Sequence, residues 1–133
     1  MIEYTVDEEK GIICSRFSQE VDLTEAKLYL QRSNNDPKCK ASYGRLVIID
    51  PGAMMVDANQ GNHMRALWEK AAETQKNYVC AIVCDSTSEA MTRLLMQNSP
   101  IIDSSVQFFS SKSAAVSWLE TKMSEQKNAS DRL

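Results

Sequence analysis

The chain has 133 residues, 43% of them hydrophobic and 25% charged, with a net charge of −3 at pH 7. That length suits a single domain with a core of its own, and the acidic balance with scattered Lys and Arg excludes a basic nucleic-acid interface or an electrostatic grip on acidic lipid. No apolar run reaches membrane-spanning length, and Met1-Ile2-Glu3-Tyr4 lacks the basic and apolar segments of an export signal, so a cytoplasmic protein without membrane insertion is expected. Its four cysteines, Cys14, Cys39, Cys80 and Cys84, are then expected to stay reduced.

Ile2 to Val6 alternates, with Ile2, Tyr4 and Val6 on one side, as a half-buried strand does. A turn at Asp7–Gly11 leads into a second strand over Ile12–Phe17, which predicts an opening antiparallel hairpin. Asp22 or Thr24 caps a first helix with Leu23, Ala26 and Leu30 on its face, ended by Asn34-Asn35-Asp36-Pro37. Leu46-Val47-Ile48-Ile49 is an unbroken apolar run, the mark of a strand covered on both faces. Asp50-Pro51-Gly52 stops it, and Met64, Leu67, Trp68, Ala71 and Ala72 then recur at helical spacing.

Tyr78 to Cys84 reads as another buried strand. Ser86-Thr87-Ser88-Glu89 has the form of a capping box, opening a third helix whose face is Ala90, Met91, Leu94 and Leu95. Val106–Phe109 is a last short strand, and Ser111 caps a final helix bearing Ala115, Trp118 and Leu119. From Lys122 to Leu133 the chain is polar and reads as a fraying tail, leaving one domain over residues 1–121. Alternation requires crossovers, and right-handed crossovers make the last three strands parallel. The predicted class is α/β: an N-terminal antiparallel hairpin, then alternating β/α, giving a mixed, mostly parallel sheet of about five strands with about four helices.

The pattern of Ala81-Ile82-Val83, Leu94, Val106, Phe109, Ala115 and Trp118-Leu119, with the hairpin and Leu46–Asp50, resembles the bacterial SpoIIAA-like proteins, grouped with STAS and Sec14-like domains. The resemblance spans residues 2–120 and is carried by apolar positions and an Ala-x-x-Trp-Leu ending. It implies a non-enzymatic regulatory domain that binds a protein partner. In the STAS relatives a serine in an Asp-Ser-Ser-Gly-like motif is phosphorylated; the matching stretch here is Asp57-Ala58-Asn59-Gln60-Gly61, where Ala58 and Asn59 carry no such hydroxyl. The Sec14-like relatives imply the alternative, a carrier of a small apolar or lipid-like ligand.

The candidate contact surface is the Gly52–His63 loop and helix start, with Asp57, Asn59, Gly61 and His63, joined by Asp85 and Ser86 at the neighbouring strand end. Free N–H groups at a helix start hold anions or a partner's carboxylate, while the plainer reading makes Asp57, Asn59 and Ser86 simple caps. Met54 and Met55 form an apolar cluster suited to a pocket or a contact with a second copy of the chain. Met54, Met55 and Trp68 would line a carrier's pocket, and a homodimer is the other partner reading. An enzyme would rest on His63, the only histidine, with the Asp85–Ser86 loop, yet no nucleophile stands beside it in sequence. Cys80 and Cys84 share a strand face among Val79, Ile82 and Val83, which reads as buried thiols rather than metal ligands. No cofactor is expected, because no phosphate-loop spacing occurs among the four glycines.

Overall fold

The computed structural model describes residues 1–53, 58–73, 79–95 and 105–131. In chain order these form β1 (Ile2–Asp7), β2 (Ile12–Phe17), α1 (Leu23–Asn35), β3 (Gly44–Ile49), α2 (Ala58–Glu73), β4 (Cys80–Val83), α3 (Ser86–Leu95), β5 (Val106–Phe109) and α4 (Lys112–Asp131). The five strands lie in sequential order, β1 antiparallel to β2 and every later neighbour parallel. The mixed α/β sheet is therefore the one that the alternation of apolar runs predicts, with four helices among the described residues.

Sequential order has a direct consequence for the helices. Each crossover steps the same way along the sheet, so right-handedness puts α1, α2 and α3 on one face. Ala26, Tyr29, Leu30, Met64, Leu67 and Trp68 pack there on Phe17, Val47, Ile49 and Ile82. The chain changes sides only after β5. Ala115 and Leu119 of α4, both fully buried, seal Ile12, Leu46, Val79 and Ala81 on the opposite face, with Phe109 and Trp118 at the edge, 5.7 Å apart. Alternate residues of β3 thus serve two cores, which is why its apolar run is continuous.

Local chemistry fixes the joints. The β1–β2 turn closes with Gly11 N–H donating to the Asp7 carbonyl at 2.8 Å, and Gly11 takes φ +69°, open to glycine without strain. Gly44 lets α4 approach closely: a Cβ there would meet Met123 at 2.8 Å and Leu119 at 3.2 Å. Asp22 is the cap of α1, accepting from Glu25 N–H at 2.8 Å. At α4, the Ser111 hydroxyl accepts from Ala114 N–H at 3.3 Å, as predicted.

Three expectations need correction. The cap of α3 is Asp85 rather than Ser86: its carboxylate accepts from Ser88 N–H at 2.7 Å and its carbonyl from Glu89 N–H at 2.9 Å, which shifts the helix start one residue earlier than a Ser86–Glu89 box would. The buried residues of α3 are Ser88 and Thr92, while Ala90 is exposed, Leu94 is 67% exposed, Met91 is half-buried and the Leu95 side chain lies outside the described residues. Thr92 can be buried because its hydroxyl donates to the Ser88 carbonyl at 2.8 Å, so no polar atom is stranded. Finally, the polar stretch after Lys122 does not fray at that point but continues α4 to Asp131. In α1, Ala26, Tyr29 and Ser33 are buried and Leu30 packs beside them as expected, with Leu28 53% exposed.

Candidate functional site

Each β-to-α connection leaves the carboxyl end of a parallel strand, so the described helices all begin at one edge of the sheet. This edge carries Asp50-Pro51-Gly52, Asp85-Ser86 and Ser110-Ser111. Gly52 takes φ +81° in a turn closed by Ala53 N–H on the Asp50 carbonyl at 3.1 Å, and the fully buried Ala53 accepts from Val21 N–H at 3.0 Å. The Arg16 guanidinium grips Asp50 through two bonds of 3.2 and 3.1 Å, an exposed fork that staples the end of β2 to this turn.

The residues singled out by sequence fall as follows. Met54, Met55 and Asp57 lie outside the described residues, as does the side chain of Asn59, whose backbone is in the first turn of α2. Gly61 is buried in that helix and His63, two residues on, is exposed. Asp85 and Ser86 are exposed at the start of α3. Among the described residues His63 makes no hydrogen bond or ion pair with Asp85 or Ser86, so the trio is not an assembled catalytic set.

Electrostatics separates these groups by role. The Asp85 carboxyl is held below the usual carboxylate range, first by the Ser88 N–H that it caps. Next to it, burial and then the Glu89 and Asp85 charges push the Cys84 thiol up to about 11. A thiol held there has little thiolate at neutral pH. Cys14 lies on the α4 side of the sheet and Cys80 on the other, which separates two of the four sulfurs by the sheet itself.

The most elaborate polar arrangement lies elsewhere. Between α1, α2 and the sheet, Arg45, only 5% exposed, donates from its guanidinium to the Tyr29 hydroxyl at 3.0 Å, and that hydroxyl also hydrogen-bonds Ser15. The Tyr29 ring stands edge-on to Tyr4 and Phe17, with centroids 5.9 Å away in both cases. Burial raises the Tyr29 phenol above its ordinary value, with the Arg45 charge and the Ser15 hydrogen bond opposing. Sequence reading passed over this trio. Its signal was Arg45 in step with Val47 and Ile49, and Ser15 in step with Ile13 and Phe17: polar residues at inward positions of a period-two pattern.

Beside the trio is a cavity of about 50 Å³, lined by Phe17, Ala26, Leu30, Met64, Leu67 and Trp68, with Tyr29, Arg45 and Val47. Trp68 lines it as the carrier reading predicts. The volume does not: it holds a few waters, against the roughly 300 Å³ that an organic ligand needs. Close packing of α1 and α2 on the sheet is the cause. An open groove of about 640 Å³ lies at the opposite end of the sheet, between the β1–β2 turn, Tyr43 and the outer part of α4. Among the described residues, neither of these two concavities is at the Asp50 and Ser86 turns. With sequential strand order the sheet has no switch point to open a crevice there.

No protein family's sequence model matches the chain. No curated protein matches it either. Among solved structures it is similar to an anti-sigma-factor antagonist (STAS) domain protein from Planctomyces limnophilus, at 17% sequence identity and a TM-score of 0.48, over 87% of this chain and 96% of that one. No helix among the described residues is long and apolar enough to cross a membrane.

Proposed function

We propose that the chain is a non-enzymatic interaction domain that binds a protein partner through the edge where its helices begin, with His63, Asp85 and Ser86 in the contact and Asp57, Asn59 and Gly61 alongside. The observation that carries this reading is the combination at that edge of exposed polar side chains with several helix starts, where the caps Asp22, Asp85 and Ser111 take one first-turn N–H each. Its acidic and thiol groups support a binding rather than a reactive role. Asp85 is engaged in its cap and Cys84 is held protonated. Met54 and Met55 would extend the contact as an apolar margin, for a partner or for a second copy of the chain. Ala58 and Asn59 offer no hydroxyl for phosphorylation at the STAS phosphoserine position, so in this reading the contact is not switched there.

The test is quantitative affinity capture with the wild-type chain and the double variant His63→Glu, Ser86→Glu, both checked for unchanged melting. A partner held by the wild type and lost from the variant supports the proposal. Equal capture by both rules this surface out. The carrier reading would need the 50 Å³ cavity to enlarge several-fold, and the close packing of Met64, Leu67 and Trp68 on the sheet works against it.

A further inference from the structure

Among the described residues, β1 is a six-residue strand at the edge of the sheet with no strand beyond it. In the β1–β2 ladder, Met1 C=O accepts from Ser18 N–H and Asp7 C=O from Gly11 N–H, so the odd-numbered residues face β2. Antiparallel pairing alternates, and the even-numbered residues therefore turn their N–H and C=O groups outward. Ile2 N–H shows this directly, because its donor is taken by the Glu25 carboxylate of α1 at 2.9 Å. Among the described residues, the N–H and C=O groups of Tyr4 and Val6 face outward with no partner.

The side chains along this edge are sorted by face. Tyr4 and Val6, half-buried, lean toward the α1 side, while Glu3, Thr5 and Asp7 are exposed on the other side, where α4 lies mainly over β3, β4 and β5 and reaches β2 only at Ile12. Glu8 and Glu9 continue the acidic run into the turn. Nearby cations are already engaged: Arg16 with Asp50 and Lys10 with Glu120. Glu3 faces Arg16 across the ladder and shares its charge with Asp50, while Asp7, Glu8 and Glu9 make no ion pair among the described residues, so the edge carries a surplus of negative charge.

We infer that β1 is a docking strand for an extended segment of another protein in which basic residues alternate with apolar ones. Such a segment would add a strand through the outward groups of Tyr4 and Val6. It would set its apolar side chains beside Tyr4 and Val6 and its Lys or Arg beside Glu3 and Asp7. A second copy of the chain is the wrong occupant. Antiparallel pairing of Tyr4 with Val6 across two copies places Glu3 opposite Asp7 twice, and like charges directly opposed are destabilising. This surface is separate from the helix-start edge, and the inference does not rest on that assignment.

The experiment uses the isotope-labelled full chain and a short blocked peptide alternating lysine with valine, followed by amide spectra and hydrogen exchange. The expected result is protection gained at the Tyr4 and Val6 amides, with affinity that falls as salt is raised. Glu3→Lys should weaken binding about tenfold, the scale of one lost rim attraction turned repulsive. Val6→Pro should abolish the added strand while leaving the β1–β2 ladder intact, since the donor it deletes faces away from β2. Equal binding of a glutamate–valine peptide, protection elsewhere with none at Tyr4 and Val6, or unaltered affinity in Glu3→Lys would each overturn the inference.

Discussion

The two faces of the sheet solve the same burial problem in different ways. On one face, among the described residues, a single helix does the work: α4 places Ala115 and Leu119 against Ile12, Leu46 and Ala81, and no charged group is enclosed. On the other, three helices enclose a mixed interior in which apolar side chains surround Ser15, Tyr29 and Arg45 and a 50 Å³ cavity remains. The first face is a simple hydrophobic seal. The second depends on hydrogen bonds that must all be made, because a buried charge without its acceptor is costly.

Substitutions should divide along this line. Leu119→Ala, on the sealed face, is expected to have the largest effect, a loss of about 2–5 kcal/mol, since a fully buried leucine leaves a cavity that β3 and β4 cannot close. Chemical denaturation measures it. Tyr29→Phe, on the polar face, removes only one oxygen yet takes an acceptor from Arg45 and a partner from Ser15, for about 1–3 kcal/mol. If Tyr29→Phe proved neutral, the contrast between the faces would fail. Outside both cores, Asp22→Ala deletes the α1 cap for about 1 kcal/mol, read from the same denaturation curves.

Alkaline pH sharpens the comparison further. Partial burial, then the hydrogen bond to Asp36 at 2.8 Å and its charge, push the Tyr4 phenol up to about 12 from an ordinary 10. A raised phenol favours the folded state while protonated. Its contribution is fully present below pH 10 and is lost as pH rises toward 12. Ultraviolet titration of Asp36→Asn should return Tyr4 toward the ordinary value; an unmoved titration would contradict the assigned cause. At the acid end, Asp85 and Asp36 are held low by the N–H groups of Ser88 and Lys38, so their contributions persist above the usual carboxylate range and vanish as pH falls through their lowered values. The smallest effect on stability, within about 0.5 kcal/mol, is expected for exposed His63→Ala.

Much of the fold was legible in sequence because it is written in apolar periodicity. Ile2, Tyr4 and Val6 alternate; Leu46 to Ile49 run without a break; Ala115 and Leu119 recur at helical spacing. The misreadings share a cause. In α3, hydrophobicity pointed to Ala90 and Leu94, but Ser88 and Thr92 face inward, because a hydroxyl satisfied by its own helix behaves as a small core residue. Arg45 escaped notice because a charged residue beside an apolar run reads as the end of the strand, whereas here Tyr29, from a different element, makes its burial tolerable. The candidate contact surface was legible only as a set of turns. Which exposed groups meet across separate helices is decided by packing, and no local pattern in the chain encodes it.

The central claim, that binding occurs where the helices start, is tested most directly by hydrogen exchange on the chain alone and with its captured partner. The account predicts new protection over residues 58–63, 85–88 and 111–114, with the outer half of α4 unchanged. Protection confined to the turn at residues 8–11 and the outer part of α4 would contradict it and move the binding surface to the open groove at the far end of the sheet.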